Sequence, residues 1–473
     1  MSYPILLAVS FLSIVALVGA VVSRKMRNLR GPLGYREFAL GGARTGPLVL
    51  FATLAATNFS AFTVFGLSGA GYRIGWAYYP AIGFGTGLMA LSFIFLGMPL
   101  RRLSAARGYV SPADFIRDRY GSPALARAYS ACLIFVTVPY LAAQAVAGGR
   151  MINLMTGIPY PAASLLLVSV TALYTCRGGF RAVAATDVVQ IAVLAAGAVL
   201  AFAAARGMAG GGGGTAARLL VSSPAHLSRM GAGMGLGLDS LLGLWLLWFL
   251  ADPLFPQMFQ RFYAARDDRS LHRASVLYPL ICGFLFFLTV GVGVAGAALL
   301  PGLPPGESEQ IFPRLAAAHG NHLAGAAFAL AAAAALMSTL DSQLLSLSSM
   351  IVQDFFPRDH RSPGNGRAVT ALLSLLAWLA SLSPPEMILD SLTRFAFPAY
   401  AALALPVWAG LYGRRANAPG AAAAVGAGLV LVVLETAGRI SLAPLPVPAA
   451  ILGIQVALMA VFGRIAGTDG SSH

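Results

Sequence analysis

AAAAALMSTLDSQLLSLSSMIVQDF, residues 331–355, is long enough to cross a bilayer, yet it carries hydroxyls where plain hydrophobes would serve. At about 100° per residue, Ala335, Ser338, Thr339, Ser342, Ser346 and Ser349 fall on one helix face. A row of oxygens along a membrane helix either joins helices or lines a path for a hard cation. Asp341 lies beside that stripe, and a carboxylate at membrane depth is a functional candidate by default.

The rest of the chain agrees with a membrane setting. Of 473 residues, 58% are hydrophobic and only 10% charged, against roughly 25% charged in soluble proteins. This composition describes an all-α polytopic membrane protein forming a single transmembrane domain over residues 1–473. At roughly 20 apolar residues per crossing, about thirteen spans are expected. They lie near 3–23, 46–71, 76–99, 128–155, 159–175, 185–206, 236–255, 275–300, 323–350, 367–383, 388–411, 418–436 and 445–465. The first has no basic stretch before it and no cleavage site after it, so it reads as a retained span. With the N-terminus outside, inner loops and the span ends beside them hold 24 of the 32 Lys+Arg residues, which supports an N-out/C-in chain. The net positive charge thus sets topology and does not point to nucleic acid. Cys132, Cys176 and Cys282 sit in or beside apolar spans, with no metal spacing and no disulfide framework.

Two spans read as broken. The second, FATLAATNFSAFTVFGLSGAG, places Asn58, Ser60 and Thr63 at its middle, followed by Gly66, Ser68, Gly69 and Gly71. The seventh is interrupted by Asp252-Pro253 and again by Pro256, where proline removes amide donors. Interrupted helices at matching positions of two halves point to a transporter's binding site. Elsewhere, Ser111, Pro112 and Asp114 mark the start of a short interfacial helix, Gly210–Gly214 reads as a flexible linker, and Asp267, Asp268, Glu307 and Glu309 read as solvated loop charges.

These blocks carry a resemblance. REFALGGARTGPL, TNFSAFTVFGLSGAGY, YTCRGGFRAVAATDVVQ, FPQMFQRFYAA, AALMSTLDSQLLSLSS and GLYGRRANAPGAAAAVGAG resemble the sodium:solute symporters over about residues 36–430. That family includes proline, sugar, sialic acid and pantothenate carriers. The resemblance implies a LeuT-type fold with a five-plus-five inverted repeat. Residues 46–206 would form the first repeat and 236–411 the second, with 1–30 an extra N-terminal span and 418–465 two extra C-terminal spans.

It also implies a sodium site between the second and ninth spans, made by the carbonyls of Ala56, Phe59 and Ala335 and the hydroxyls of Ser338 and Thr339. A second cation or proton site would use Asp187, Ser338, Asp341 and Ser342, unless Asp341 instead pairs with a base such as Arg181. Solute candidates are Asn58, Ser60, Thr63, Tyr140, Gln144, Trp248 and Asp252. Arg394 either counters a substrate carboxylate or pairs with Asp390 one turn earlier. The expected function is sodium-coupled import of a small organic solute by alternating access across the plasma membrane, with a mild preference for a carboxylate-bearing metabolite. Alternatives are proton coupling on the same fold and a solute sensor that does not transport.

Enzyme chemistry finds no footing. His226, His272, His319, His322, His360 and His473 sit in loops or at span ends, and no Walker A motif is present. The expected partners are therefore the solute, sodium ions and membrane lipid, with neither ATP nor nucleic acid.

Overall fold

The structure is a computed structural model that describes residues 15, 17–19, 21, 31–232, 236–318, 322–443 and 445–468. The expected first span and the histidines His319 and His473 fall almost wholly or wholly outside those residues. Among the described residues, every regular element is helical, apart from an isolated bridge between Thr45 and Ala265.

A short helix α1 (Gly31–Leu40) leads into the first broken pair, α2 (Pro47–Asn58) and α3 (Phe62–Ile74), bent by 57°. The long helix α4 (Tyr78–Arg107) follows, then α5 (Pro112–Tyr120), α6 (Pro123–Thr156) and α7 (Tyr160–Met208). After α8 (Gly211–Ser222) comes the second broken pair, α9 (Leu238–Leu254) and α10 (Pro256–Ala264), bent by 58°. The remaining elements are α11 (Asp268–Leu299), α12 (Ile311–Ala318), α13 (His322–Phe355), α14 (Pro363–Ser381), α15 (Ile388–Tyr412), α16 (Ala418–Thr436) and α17 (Val447–Thr468).

Both expected breaks are therefore present, with nearly equal bends. Phe59 leaves the helical region with φ −83° and ψ 108°, and Phe255 does so between Pro253 and Pro256 with φ −54° and ψ 127°. The two pairs are tied at one end, where the Thr45 amide donates to the Ala264 carbonyl and the Arg266 amide to the Thr45 carbonyl.

The 49 residues of α7 would measure about 73 Å at 1.5 Å per residue, far beyond one bilayer. They divide at Gly179, whose φ of 54° and ψ of −152° no other residue type adopts readily. The predicted loop at 177–181 is thus a bend with helix on both sides. The glycine run after α7 is not a free linker either. Gly210 and Gly211 take positive φ and turn the chain, and Gly211 already begins α8. The turn lets α8 dock through Leu219, which is fully buried, while Leu220 and Val221 stay exposed.

The hydroxyl-bearing α13 is the most thoroughly buried of the long apolar helices, with 94% of its apolar window inside the protein. Its oxygens consequently face helices rather than lipid. Around it pack α7, α6, α14 and the two broken pairs. At the start of α5, the Asp114 carboxylate accepts from the Val110 and Ser111 amides, as its first-turn position predicts. The Ser111 hydroxyl donates to Asp354 at the end of α13, so α5 is anchored to the bundle as well as lying beside it.

Candidate ion and solute sites

The break in the first pair has a chemical consequence. In a continuous helix the Ala56 and Thr57 carbonyls would accept from the amides four residues on. Here the Ser60 amide turns to the Thr63 hydroxyl and the Ala61 amide to the Gln144 side chain, at 3.2 and 2.9 Å. The freed carbonyls face α13. The Ser338 hydroxyl donates to Ala56 O at 2.9 Å and to Ala335 O at 3.1 Å. The Thr339 hydroxyl lies 3.0 Å from Phe59 O and 3.1 Å from Thr57 O.

All five predicted sodium ligands therefore converge, joined by a sixth oxygen, the Thr57 carbonyl, which the sequence reading did not name. The set is uncharged and fully oxygen, the donor type a hard cation takes. A cation seated there would accept the lone pairs now shared through hydroxyl protons.

One layer further along α13, Asp187, Asp341 and Ser342 also come together, but with an unexpected member. Arg261 of α10 is completely buried and pairs with Asp187 at 3.0 Å. Its guanidinium donates to Ser342 Oγ at 2.6 Å, to the Thr53 carbonyl and hydroxyl at 3.0 and 2.8 Å, and to Gln257 O at 2.8 Å. Thr53 donates to Asp187 in turn. Asp341 accepts from Tyr174 at 2.6 Å and from Ser342 at 3.1 Å.

Arg261 had been counted among the inner-loop bases, whereas it lies on a helix between Phe259 and Phe262. A single cation inside the apolar run FPQMFQRFY is the signal that could have placed it. Arg181, expected as a partner for Asp341, instead pairs with Glu37 and is half exposed. Asp187 Oδ1 is buried and finds no hydrogen-bond partner among the described residues.

The solute candidates gather at the breaks. Asn58, Ser60, Thr63, Tyr140, Gln144, Trp248 and Asp252 are all buried. Tyr140 donates to the Ser60 hydroxyl at 3.0 Å, and Asn58 donates to the Tyr278 hydroxyl at 2.5 Å. Asn58 also faces the Asp252 carboxylate across the two breaks. Rings close the walls: Trp248 lies 5.3 Å from Phe62 and 5.0 Å from Phe397, and Tyr140 lies 5.5 Å from Phe255. Tyr278, Phe397 and Phe255 were not singled out from the sequence, because an aromatic residue in a span reads as ordinary core.

Arg394 is not among them. Its side chain is 73% exposed and pairs with Asp390 at 3.1 Å, on a crevice of about 350 Å³ shared with Ser240, Glu435 and Thr436. Of the two readings of Arg394, the pair with Asp390 is therefore the one observed.

Glu309 corrects a second expectation. Its carboxylate is buried, not solvated, and accepts from the Ile388 and Leu389 amides at 2.6 and 2.7 Å. That caps the N-terminus of α15, where a negative charge is favourable. Asp268, also read as solvated, bridges Arg101 and Arg102 at 2.6 Å each.

In sequence and in fold the chain is similar to known transporters. The sequence profile of the sodium:solute symporter family matches residues 38–428. The sodium/pantothenate symporter of Escherichia coli (strain K12) is 30% identical over 423 residues, covering 85% of this chain and 84% of that protein. The osmoregulated proline transporter of Bacillus subtilis (strain 168) is 29% identical over 417 residues, covering 85% and 83%. A Na+-coupled sialic acid symporter, solved in a substrate-bound outward-open state, has a TM-score of 0.80 over 98% of both chains at 18% identity, a likeness of fold. The chain belongs to the sodium:solute symporter family: a multi-pass plasma-membrane transporter of LeuT-type fold that couples a small solute to sodium and is not an enzyme.

Proposed function

We propose that sodium binds between the first broken pair and α13, held by the carbonyls of Ala56, Phe59 and Ala335 and the hydroxyls of Ser338 and Thr339. The observation that carries this reading is their convergence, with every hydroxyl–carbonyl contact at 2.9 to 3.1 Å. Sodium bridging α2 to α13 favours the state in which the pocket beside the break is formed. Opening to the inside separates the two and releases both ligands. Because coupling is reciprocal, sodium raises solute affinity by the factor by which solute raises sodium affinity.

The Asp187–Asp341–Ser342 layer, with Ser338 above it, is the second cation or proton site. Two carboxylates face one guanidinium there, so one negative charge is left to balance, and Asp187 Oδ1 is free to accept. The residual charge supports a proton or a second sodium ion equally.

The solute lies against Asn58, Ser60, Thr63, Tyr140, Gln144, Trp248 and Asp252. The amides of Ala61 and Phe62 open the 13-residue α3, where a helix N-terminus favours an anionic group. They are held by Gln144 and by the Ser60 hydroxyl, both polar side chains that a solute carboxylate can displace. Pantothenate and proline, named for two relatives, both bear a carboxylate. The described spans, with the first one added, make thirteen crossings in an N-out/C-in chain, with repeats at 46–206 and 236–411. The matched bends of 57° and 58° support that division.

The test is radiosodium binding to the purified protein, wild type against Ser338→Ala. Saturable binding that the substitution weakens tenfold or more supports the site. Equal binding by both proteins refutes it.

A further inference from the structure

Asp252 is a pocket carboxylate that pairs with no basic side chain among the described residues. It sits at the break of the second pair, 2% exposed, on the side facing the first break. The groups that bear on it are Asn58, Tyr140, Tyr278 and Cys282, and among the described residues none of these is basic. Other buried carboxylates have a base or donors beside them: Asp187 has Arg261, which Asp341 shares at longer range, Asp354 has Ser111, Ser130 and Arg117, and Glu309 has two backbone amides. A buried carboxylate with no counter-charge is costly in a membrane protein, and such groups mark ligand pathways. The sodium oxygens do not supply one, since Asp252 is not among the residues joined to Ser338 or Thr339.

The surroundings name the missing partner. Trp248, one turn before Asp252 on α9, sets its ring between Phe62 and Phe397 in tilted and edge-on contacts, and Phe255 and Tyr140 continue the wall. Aromatic faces beside a carboxylate suit an organic ammonium, which gains from both the charge and the ring quadrupoles. Asn58, held by its contact with Tyr278, orients the carboxylate without neutralising it.

We infer that Asp252 is a specificity-determining residue that binds an ammonium group on the solute. Resting on the pocket proposed above, this narrows the solute to one bearing a cationic amine close to its carboxylate, the amine at Asp252 and the carboxylate at the amides opening α3.

The experiment is a melting series in NaCl with proline, β-alanine and glycine betaine, each against a counterpart lacking the amine: cyclopentanecarboxylate, propionate and 4-methylpentanoate. Pantothenate is added as a carboxylate with an amide in place of the amine. Wild type, Asp252→Asn and Asp252→Glu are compared. At least one amine-bearing probe is expected to raise the melting temperature in sodium while its counterpart does not. Asp252→Asn should weaken that probe by roughly 30-fold or more, as expected when one partner of a buried charge pair is lost. It should keep its sodium response, which shows that it is folded, and Asp252→Glu should retain part of the affinity. Overturning results are amine binding unchanged in Asp252→Asn, shifts from carboxylate-only probes alone, or no shift from any amine while sodium still stabilises. Loss of the sodium response in wild type would instead refute the pocket itself.

Discussion

Arg261 and Asp187 pair at 3.0 Å across 74 residues of sequence, with neither side chain exposed. The pair fastens α10 of the second broken helix to α7, and through Thr53 it also holds α2. With its bond to Ser342 of α13, one guanidinium thus ties four helices, α2, α7, α10 and α13, and it also lies over the Phe180 ring at 5.7 Å.

Breaking that pair from one side leaves a buried charge uncompensated. Arg261→Leu is expected to cost about 3–5 kcal/mol of stability in detergent. The double change with Asp187→Leu should recover a good part of it, since both charges then leave together. A single variant as stable as wild type would show that the pair contributes nothing.

The packing of α3 against α11 depends on two glycines that meet backbone. A Cβ on Gly293 would lie 1.9 Å from the Ser68 carbonyl oxygen, and one on Gly71 would lie 2.2 Å from that of Val290. Gly293→Ala must therefore push the helices apart, with an expected loss of about 1–3 kcal/mol. Gly453→Ala is the control, because a Cβ there meets nothing within 4 Å. Equal melting temperatures for the two variants would contradict the close approach.

Glu309 docks the loop before α12 onto the start of α15. Glu309→Ala leaves the Ile388 and Leu389 amides without acceptors, a loss of about 1–3 kcal/mol. Hydrogen-exchange protection over 305–312 and 387–390 should fall accordingly, and unchanged protection would refute the contact. Burial raises this carboxyl above the ordinary glutamate range, against the opposing pull of the two amides. A docked loop therefore holds a proton more readily than an undocked one. Docking is strongest below the ordinary range and weakens as pH rises through the shifted one. Protection corrected for intrinsic exchange rates should follow that direction.

How far the sequence could be read depended on the range of the interaction. Helix positions follow from apolar length, and each described apolar stretch holds a helix. The residues proposed to hold sodium were legible because two local signals, the hydroxyl stripe at 338–339 and the polar break at 58–63, mark both halves of the proposed site. Arg261 was not, since its partners are Asp187 and Ser342, 74 and 81 positions away. A tally of loop charges cannot separate a buried arginine from a solvated one. Glu309 escaped for the same reason, its acceptor role depending on amides 79 and 80 residues on. At Gly210–Gly214, tertiary docking of Leu219 overrode a composition that by itself favours coil.

The most direct measurement is the melting temperature of the purified protein titrated with NaCl against KCl, for wild type and Thr339→Ala. A ligand confined to the folded state adds about 2.7 kcal/mol at a hundredfold excess over its Kd. The Thr339 hydroxyl meets both Phe59 O and Thr57 O, so its removal strips the site of one ligand and frees two carbonyls. Sodium should stabilise wild type where potassium does not, and the variant should lose that difference. Identical curves in the two salts, or a sodium response undiminished by Thr339→Ala, would contradict a sodium ion held between the broken helix and α13.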